Sequence, residues 1–250
     1  MVAAIGCGMN VPRAPHRWRV SPREAVRIQD TLAARVSLSP APRVRRILGL
    51  DCAFAGDRAL AVGVVWDLET RQVLEVRGAT ARLTFPYVPG LLSFRETPVL
   101  LRVLRKVRHD VDALMCDGQG VAHPRRFGLA SHLGVIADMP CLGAAKSLLV
   151  GEHAALPSHR GATVPLIHRG ERVGTVVRTR GNVKPVYASP GHRVDYCQAA
   201  HLTMDSATAY RIPEPTRLAD RWVGMLKKGE VTLRGLDTLG RHRGSARVRP

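Results

Sequence analysis

Within ten residues, Asp117 to Arg126, the chain holds a carboxylate, two glycines, a histidine and an Arg-Arg pair. The apolar run Ala113-Leu114-Met115-Cys116 leads into Asp117, Gly118 and Gly120 keep the next loop thin, and His123, Arg125 and Arg126 precede Phe127-Gly128. An acid, a proton carrier and anion binders at this spacing suit a loop that holds a divalent metal against a phosphodiester. Asp51 stands near the end of another apolar run, where a lone carboxylate is costly to desolvate unless paired or metal-bound. Glu96 lies just before an expected helix, and Asp220 sits inside an otherwise apolar and basic one. Hard divalent cations take a few carboxylates and keep several waters, and two ions roughly 3.5–4 Å apart can activate water and stabilise a leaving oxygen. The plainer alternative is that each acid pairs with one of the 38 Lys and Arg residues.

Three further residues belong with these acids. Tyr87 is stiffened by Pro86 and Pro89 around Val88, and a rigid aromatic on a loop suits stacking on, or wedging into, a base pair. A buried loop tyrosine is the alternative. Lys146 follows the small-residue segment Cys141-Leu142-Gly143-Ala144-Ala145. It could contact phosphate or polarise an attacking water, or be a surface lysine. His123 is near enough to Asp117 to order a water or phosphate, whereas His132 falls inside a helix and reads as structural. His192 is expected in a loop that leads into a helix. No His/Cys spacing suits zinc.

Composition supports a polyanionic partner. A formal charge of +18 and a pI near 11.1 exceed what an ordinary enzyme needs, and each phosphate neutralised releases counterions. A genome rich in Arg codons is the bland alternative. Cys7, Cys52, Cys116, Cys141 and Cys197 form no CxxC pair, which argues against a disulfide framework or zinc knuckle and for a reducing interior. No apolar stretch is long enough to span a bilayer and no signal peptide is recognisable, so a cytoplasmic protein with no membrane partner is expected.

These side chains need a scaffold. Ser21-Pro22-Arg23-Glu24 reads as a capping box, and the spacing predicts a helix over 22–36. Strands are expected at 46–54, 59–66 and 72–77 with tight turns between them, an antiparallel meander. A helix from Thr97-Pro98 to Val107, a strand at 112–116, a helix at 126–137 and a short strand near 140–143 follow. A hairpin at 164–168 and 172–178, a strand at 184–188, a helix over 193–207 and a last helix from Pro213 to about Leu226 complete the pattern. A meander followed by alternating helices and strands is the ribonuclease-H-like arrangement, an α/β fold with a central mixed sheet flanked by helices. Residues 1–16 read as a flexible extension, 17–226 as the catalytic domain and 227–250 as a basic, disordered tail.

Several segments resemble a known family. Tyr87-Val88-Pro89-Gly90-Leu91-Leu92-Ser93-Phe94-Arg95-Glu96 resembles the wedge and metal-site segment of the endonuclease V family. Asp117-Gly118-Gln119-Gly120 through His123-Pro124-Arg125-Arg126-Phe127-Gly128-Leu129-Ala130-Ser131-His132-Leu133-Gly134 resembles its longest signature. Lys146-Ser147-Leu148, Lys184-Pro185-Val186-Tyr187, Ser189-Pro190-Gly191-His192-Arg193 and Tyr210-Arg211-Ile212-Pro213-Glu214-Pro215-Thr216-Arg217 match in order, across residues 17–225. The first-strand segment usually reads Asp-Val-Ser-Tyr in this family and is Asp51-Cys52-Ala53-Phe54 here, which keeps the acid and loses a hydroxyl pair.

The resemblance implies a Mg²⁺-dependent DNA repair endonuclease, with Mn²⁺ as a substitute ion, that recognises deoxyinosine. It would cut the second phosphodiester on the 3′ side and leave 3′-hydroxyl and 5′-phosphate ends. Asp51, Glu96 and Asp117 would bind metal, with Asp220 as a fourth acid; Lys146 would assist the water and His123 would sit at the phosphate. Tyr87, flanked by Pro86, Val88 and Pro89, would be the wedge, and Gly90, Leu92, Gly143 and Ala145 would line a main-chain pocket for the flipped base. The expected partner is DNA containing deaminated bases, bound by a monomer. Inosine-containing RNA is the alternative substrate, and a nucleic-acid-binding module without activity is the alternative from another class.

Overall fold

The computed structural model describes residues 9–239. Its frame is one eight-stranded mixed sheet of order β3-β2-β1-β4-β5-β8-β7-β6. The meander is β1 (Arg46–Ala55), β2 (Arg58–Asp67) and β3 (Gln72–Arg82), antiparallel throughout. β4 (Ala113–Cys116) runs parallel to β1, and β5 (Cys141–Ala145) parallel to β4. β6 (Thr163–His168), β7 (Glu171–Val177) and β8 (Val186–His192) continue antiparallel from β5. This mixed sheet flanked by helices is the ribonuclease-H-like α/β architecture anticipated from the order of elements.

Strand parity decides which helices cover which face. Leu48 and Leu50 of β1 point into a core shared with α2 (Leu92–Leu104) and α3 (Leu129–Ala137). Ile47 points the other way, towards α4 (Tyr196–Asp205), and Val62 and Val64 of β2 meet Leu218 and Val223 of α5 (Glu214–Lys228). α1 (Pro22–Ala33) begins as the capping box predicts, with Ser21 Oγ accepting from the Glu24 amide, and ends three residues short of the expected 36.

Three expectations need correction. α2 starts at Leu92 rather than Thr97, so Pro98 lies inside the helix and Glu96 is part of it. An interior proline costs about 3 kcal/mol, but the buried row Phe94, Leu101 and Leu104 gives this helix enough packing to absorb it. Second, Ser189–His192 is strand, not loop: β8 runs on to His192 with a register irregularity opposite Cys141/Leu142. Third, residues 227–239 are not a disordered tail. α5 continues to Lys228, and α6 (Leu233–Leu239) packs on β3 with Leu236 fully buried. A Cβ on Gly78 would come within 2.8 Å of both the Leu233 and Leu236 side chains, so that glycine makes room for α6.

Residues 9–16 of the expected extension lack regular structure yet pack against the core: Met9 N–H donates to the Val107 carbonyl at 3.2 Å, and Val11 and Ala14 join the same cluster. Residues 1–8 and the arginine-rich stretch 240–250 lie outside the described residues.

Candidate active site

Parallel pairing places the two central acids. Leu50 of β1 is opposite Cys116 of β4, and the Asp117 N–H donates to the Leu50 carbonyl at 3.2 Å. Asp51 and Asp117 are each the next residue along, so both project from the same face past the end of the paired segment. Gly49 shares that face, and a Cβ there would lie 2.2 Å from the Pro215 backbone. The missing side chain lets α5 lie directly on β1, which carries Asp220 over Asp51. Glu96 comes from α2 on the other face and is 9% exposed.

The acids act on one another. Burial, then the charge of Asp117, pushes Asp51 up to about 8, and Asp220 adds to the shift. Burial, then Asp51 and Asp117, pushes Glu96 up to about 8. Lys146, just past β5, places Nζ 2.6 Å from Asp117 Oδ2 and 3.4 Å from Asp220 Oδ2. Burial still raises Asp117 despite that ammonium. Burial works against the charge on Lys146, but Asp117 outweighs it and the Lys146 pKa is raised. Sequence reasoning missed Arg211, whose guanidinium donates to the Pro185 carbonyl at 2.7 Å and to the carbonyl of Lys146, fixing the backbone that carries the lysine.

This donor set fits a hard divalent cation. Among the described residues no three His, Cys, Asp or Glu side chains stand in a closed ligand set. Mg²⁺ does not require one, because it is held by one or two carboxylates together with waters and substrate phosphates. Buried oxygen donors that raise one another's pKa are a site short of positive charge, and among the described residues Lys146 beside Asp117 and Asp220, with the Arg95 charge acting on Glu96, does not make up the shortfall.

Tyr87 is 70% exposed, with Pro86 and Pro89 exposed beside it and Val88 partly buried as the anchor of the loop. His123 is placed differently from the expectation. Nε2 donates to the Gly90 carbonyl at 3.0 Å and Nδ1 accepts from the Arg125 amide at 3.2 Å, so both nitrogens are engaged by protein rather than aimed at an open phosphate position. Burial, then Arg125, lowers its pKa to about 4, which keeps the ring neutral in that role. The Gly90 carbonyl also accepts from Arg125 Nη2 at 2.6 Å and from Gln29 Nε2 at 3.1 Å.

The four expected pocket residues sit in unlike surroundings. Gly90 has φ +76°, which glycine adopts without strain. Leu92 is partly exposed, whereas Gly143 and Ala145 are buried in β5. A Cβ on Gly143 would lie 2.2 Å from the Gly118 carbonyl oxygen, so this glycine lets the loop after Asp117 rest on β5. A larger residue there would break the loop itself, whatever lies beyond it.

A ribonuclease-H-like sheet that gathers acids past the ends of adjacent parallel strands defines the class first: a hydrolytic nuclease. The chain belongs to the Endonuclease V family, whose model matches residues 30–221, and this is a family of endonucleases acting on DNA. The Endonuclease V of Methanothrix thermoacetophila is 46% identical over 220 residues, covering 88% of this chain and 97% of the relative. The crystal structure of the Endonuclease V of Streptomyces avermitilis superposes with a TM-score of 0.82 at 41% identity, covering 89% of this chain and 100% of that one. The Endonuclease V of Ciona intestinalis, solved with a 24-mer DNA containing an inosine followed by a ribo-adenosine, shares the fold at TM-score 0.75 and 24% identity, covering 84% of this chain and 98% of that one. No helix among the described residues is long and apolar enough to cross a membrane.

Proposed function

We propose that this chain is a Mg²⁺-dependent repair endonuclease that recognises deoxyinosine in DNA and hydrolyses the second phosphodiester on its 3′ side. The P–O3′ bond breaks, leaving 3′-hydroxyl and 5′-phosphate ends. The observation that carries this reading is the convergence of Asp51, Asp117 and Glu96 from three separate elements, each with a raised pKa. Family membership supports it, as does the inosine-containing DNA bound by the Ciona protein.

In this reading Asp51, Asp117 and Glu96, with Asp220 as a fourth acid, hold Mg²⁺, for which Mn²⁺ substitutes. Bound there, the ion supplies positive charge against the phosphate and makes water more acidic. Lys146 Nζ, steered by Asp117, donates to the attacking water or a phosphate oxygen. Tyr87 fills the gap left by the displaced base. Backbone groups of the Gly90–Leu92 and Gly143–Ala145 segments read the base, with an N–H for O6 and a carbonyl for the N1 proton. Guanine is rejected because its amino group has neither room nor partner. His123 acts by holding Gly90. The enzyme works as a monomer in the cytoplasm, a compartment that suits its free thiols Cys52, Cys116, Cys141 and Cys197.

The test is an end-labelled strand with one deoxyinosine, compared with guanine and adenine controls and with an inosine-containing RNA. Mg²⁺-dependent cutting of the deoxyinosine strand alone, one nucleotide beyond the lesion, is the expected result. Preference for the RNA, or equal cutting at guanine, overturns it.

A further inference from the structure

Gln29 is 1% exposed, a polar residue on α1 whose other buried positions are Ala25 and Leu32. Its amide nitrogen donates to the Gly90 carbonyl and to the Phe127 carbonyl, both at 3.1 Å, and its Oε1 accepts from Arg125 Nε at 2.6 Å. Both amide hydrogens and the oxygen are used, so the side chain has one orientation. Burying such a group costs free energy unless it is fully bonded, and α1 docks without it through Ala25 against Phe85, Leu91 and Phe94.

The bonds join three parts of the site. Phe127 and Arg125 belong to the loop after Asp117, and Gly90 is the turn that links Tyr87 to α2 and therefore to Glu96. Gly90 has a positive φ, so its peptide has to be held in an orientation that the neighbouring residues do not enforce. Gln29 is also remote from substrate by burial, so anything it does for the reaction passes through these carbonyls.

We propose that Gln29 is a positioning residue: by bonding the Gly90 and Phe127 carbonyls together it fixes the angle at which the Tyr87 loop leaves α2. The wedge then meets the strand in one geometry relative to Glu96. The benefit to lesion binding rests on the deoxyinosine reading above; the mechanical role does not.

Two variants test it. Gln29→Leu keeps the volume and removes all three bonds, and Gln29→Glu keeps a partner for Arg125 but loses both donations. The first measurement is amide hydrogen exchange of the free protein. Both variants should speed exchange of the Leu91 amide, which donates to the Val88 carbonyl, about tenfold while the sheet is unchanged, as local opening without global destabilisation does. The second is a double-mutant cycle with Tyr87→Ala, read as affinity for a deoxyinosine duplex. Gln29→Leu should weaken binding on the order of tenfold alone and add nothing to Tyr87→Ala, because residues that act through one element are not additive. Unchanged exchange at Leu91, exchange raised equally in α1 and the sheet, or additive losses would each overturn the proposal. Exchange needs no substrate, so if the native protein ignores deoxyinosine the functional reading falls while Gln29 is still decided.

Discussion

Lys146 Nζ stands 2.6 Å from Asp117 Oδ2, and burial still holds the Asp117 pKa above its ordinary value. One ammonium does not offset the charge of acids converging from β1, β4, α2 and α5. The site is therefore built at the expense of stability, and in the proposed reading a divalent cation makes up the deficit.

That deficit fixes a pH dependence in metal-free protein. Asp51 and Glu96 titrate near 8 when folded and near their ordinary values, roughly 4, when unfolded, so between those limits the folded state binds more protons. Their contribution is present below about 4 and is lost as pH rises through about 8. His123 runs the other way: with a folded pKa of about 4 it penalises the fold as pH drops from about 6.5. Tm should therefore fall between pH 6.5 and 8, and Asp51→Asn should raise Tm at pH 8 by at least ~3 °C, the shift that about 1 kcal/mol gives in a chain of this size. A lower Tm in that variant would contradict the electrostatics.

Lys146→Met removes the cation that lowers Asp117. Asp117 then needs a higher pH to ionise, so the acid limb of the rate profile should move to higher pH, with turnover down on the order of 10²-fold. A slower enzyme with an unmoved profile would mean that Lys146 acts on the water or phosphate without setting the ionisation of Asp117.

Asp51 and Asp117 were legible because each closes an apolar run. Strand parity within β1 and β4 was readable, and the matching short runs announce neighbouring buried strands, but it is the register pairing Leu50 with Cys116 that sets Asp51 and Asp117 on one face. Glu96 was legible as an acid but not as a helical residue, since Pro98 reads as a helix start and the packing of Phe94 and Leu104 that overrides it is tertiary. α6 was missed because two leucines among polar residues carry little periodicity, and its dock on β3 depends on Gly78, whose role appears only when the chain is folded. The engagement of His123 with Gly90 and the bonds of Gln29 join residues far apart in sequence, and side-chain type alone does not say which carbonyl a donor meets.

Tyr87 is exposed and makes little of the core, so Tyr87→Ala should leave Tm within a degree or so, a surface-type effect. Affinity for a deoxyinosine strand should fall by about 1–3 kcal/mol, the worth of base–aromatic stacking. Binding to undamaged duplex should change far less, because interactions with phosphate dominate there. Equal losses on both duplexes would make Tyr87 a general contact instead of a wedge.

The C-terminal region should divide in two. Leu236→Ala, at a fully buried position, should cost about 2–5 kcal/mol in denaturant unfolding. Removing residues 241–250 deletes four arginines. It should make the slope of log affinity against log salt shallower by about 0.9 for each phosphate that those arginines neutralise. An unchanged slope would show that they do not meet the nucleic acid.

Whether the converging acids form the catalytic centre is decided by Asp117→Asn on one deoxyinosine duplex, with Mg²⁺-dependent nicking and binding measured side by side. No detectable nicking is expected, with binding retained or tightened, since one negative charge facing the phosphate is gone. Ordinary Mg²⁺-dependent nicking by this variant would remove Asp117 from the chemistry and the metal site with it.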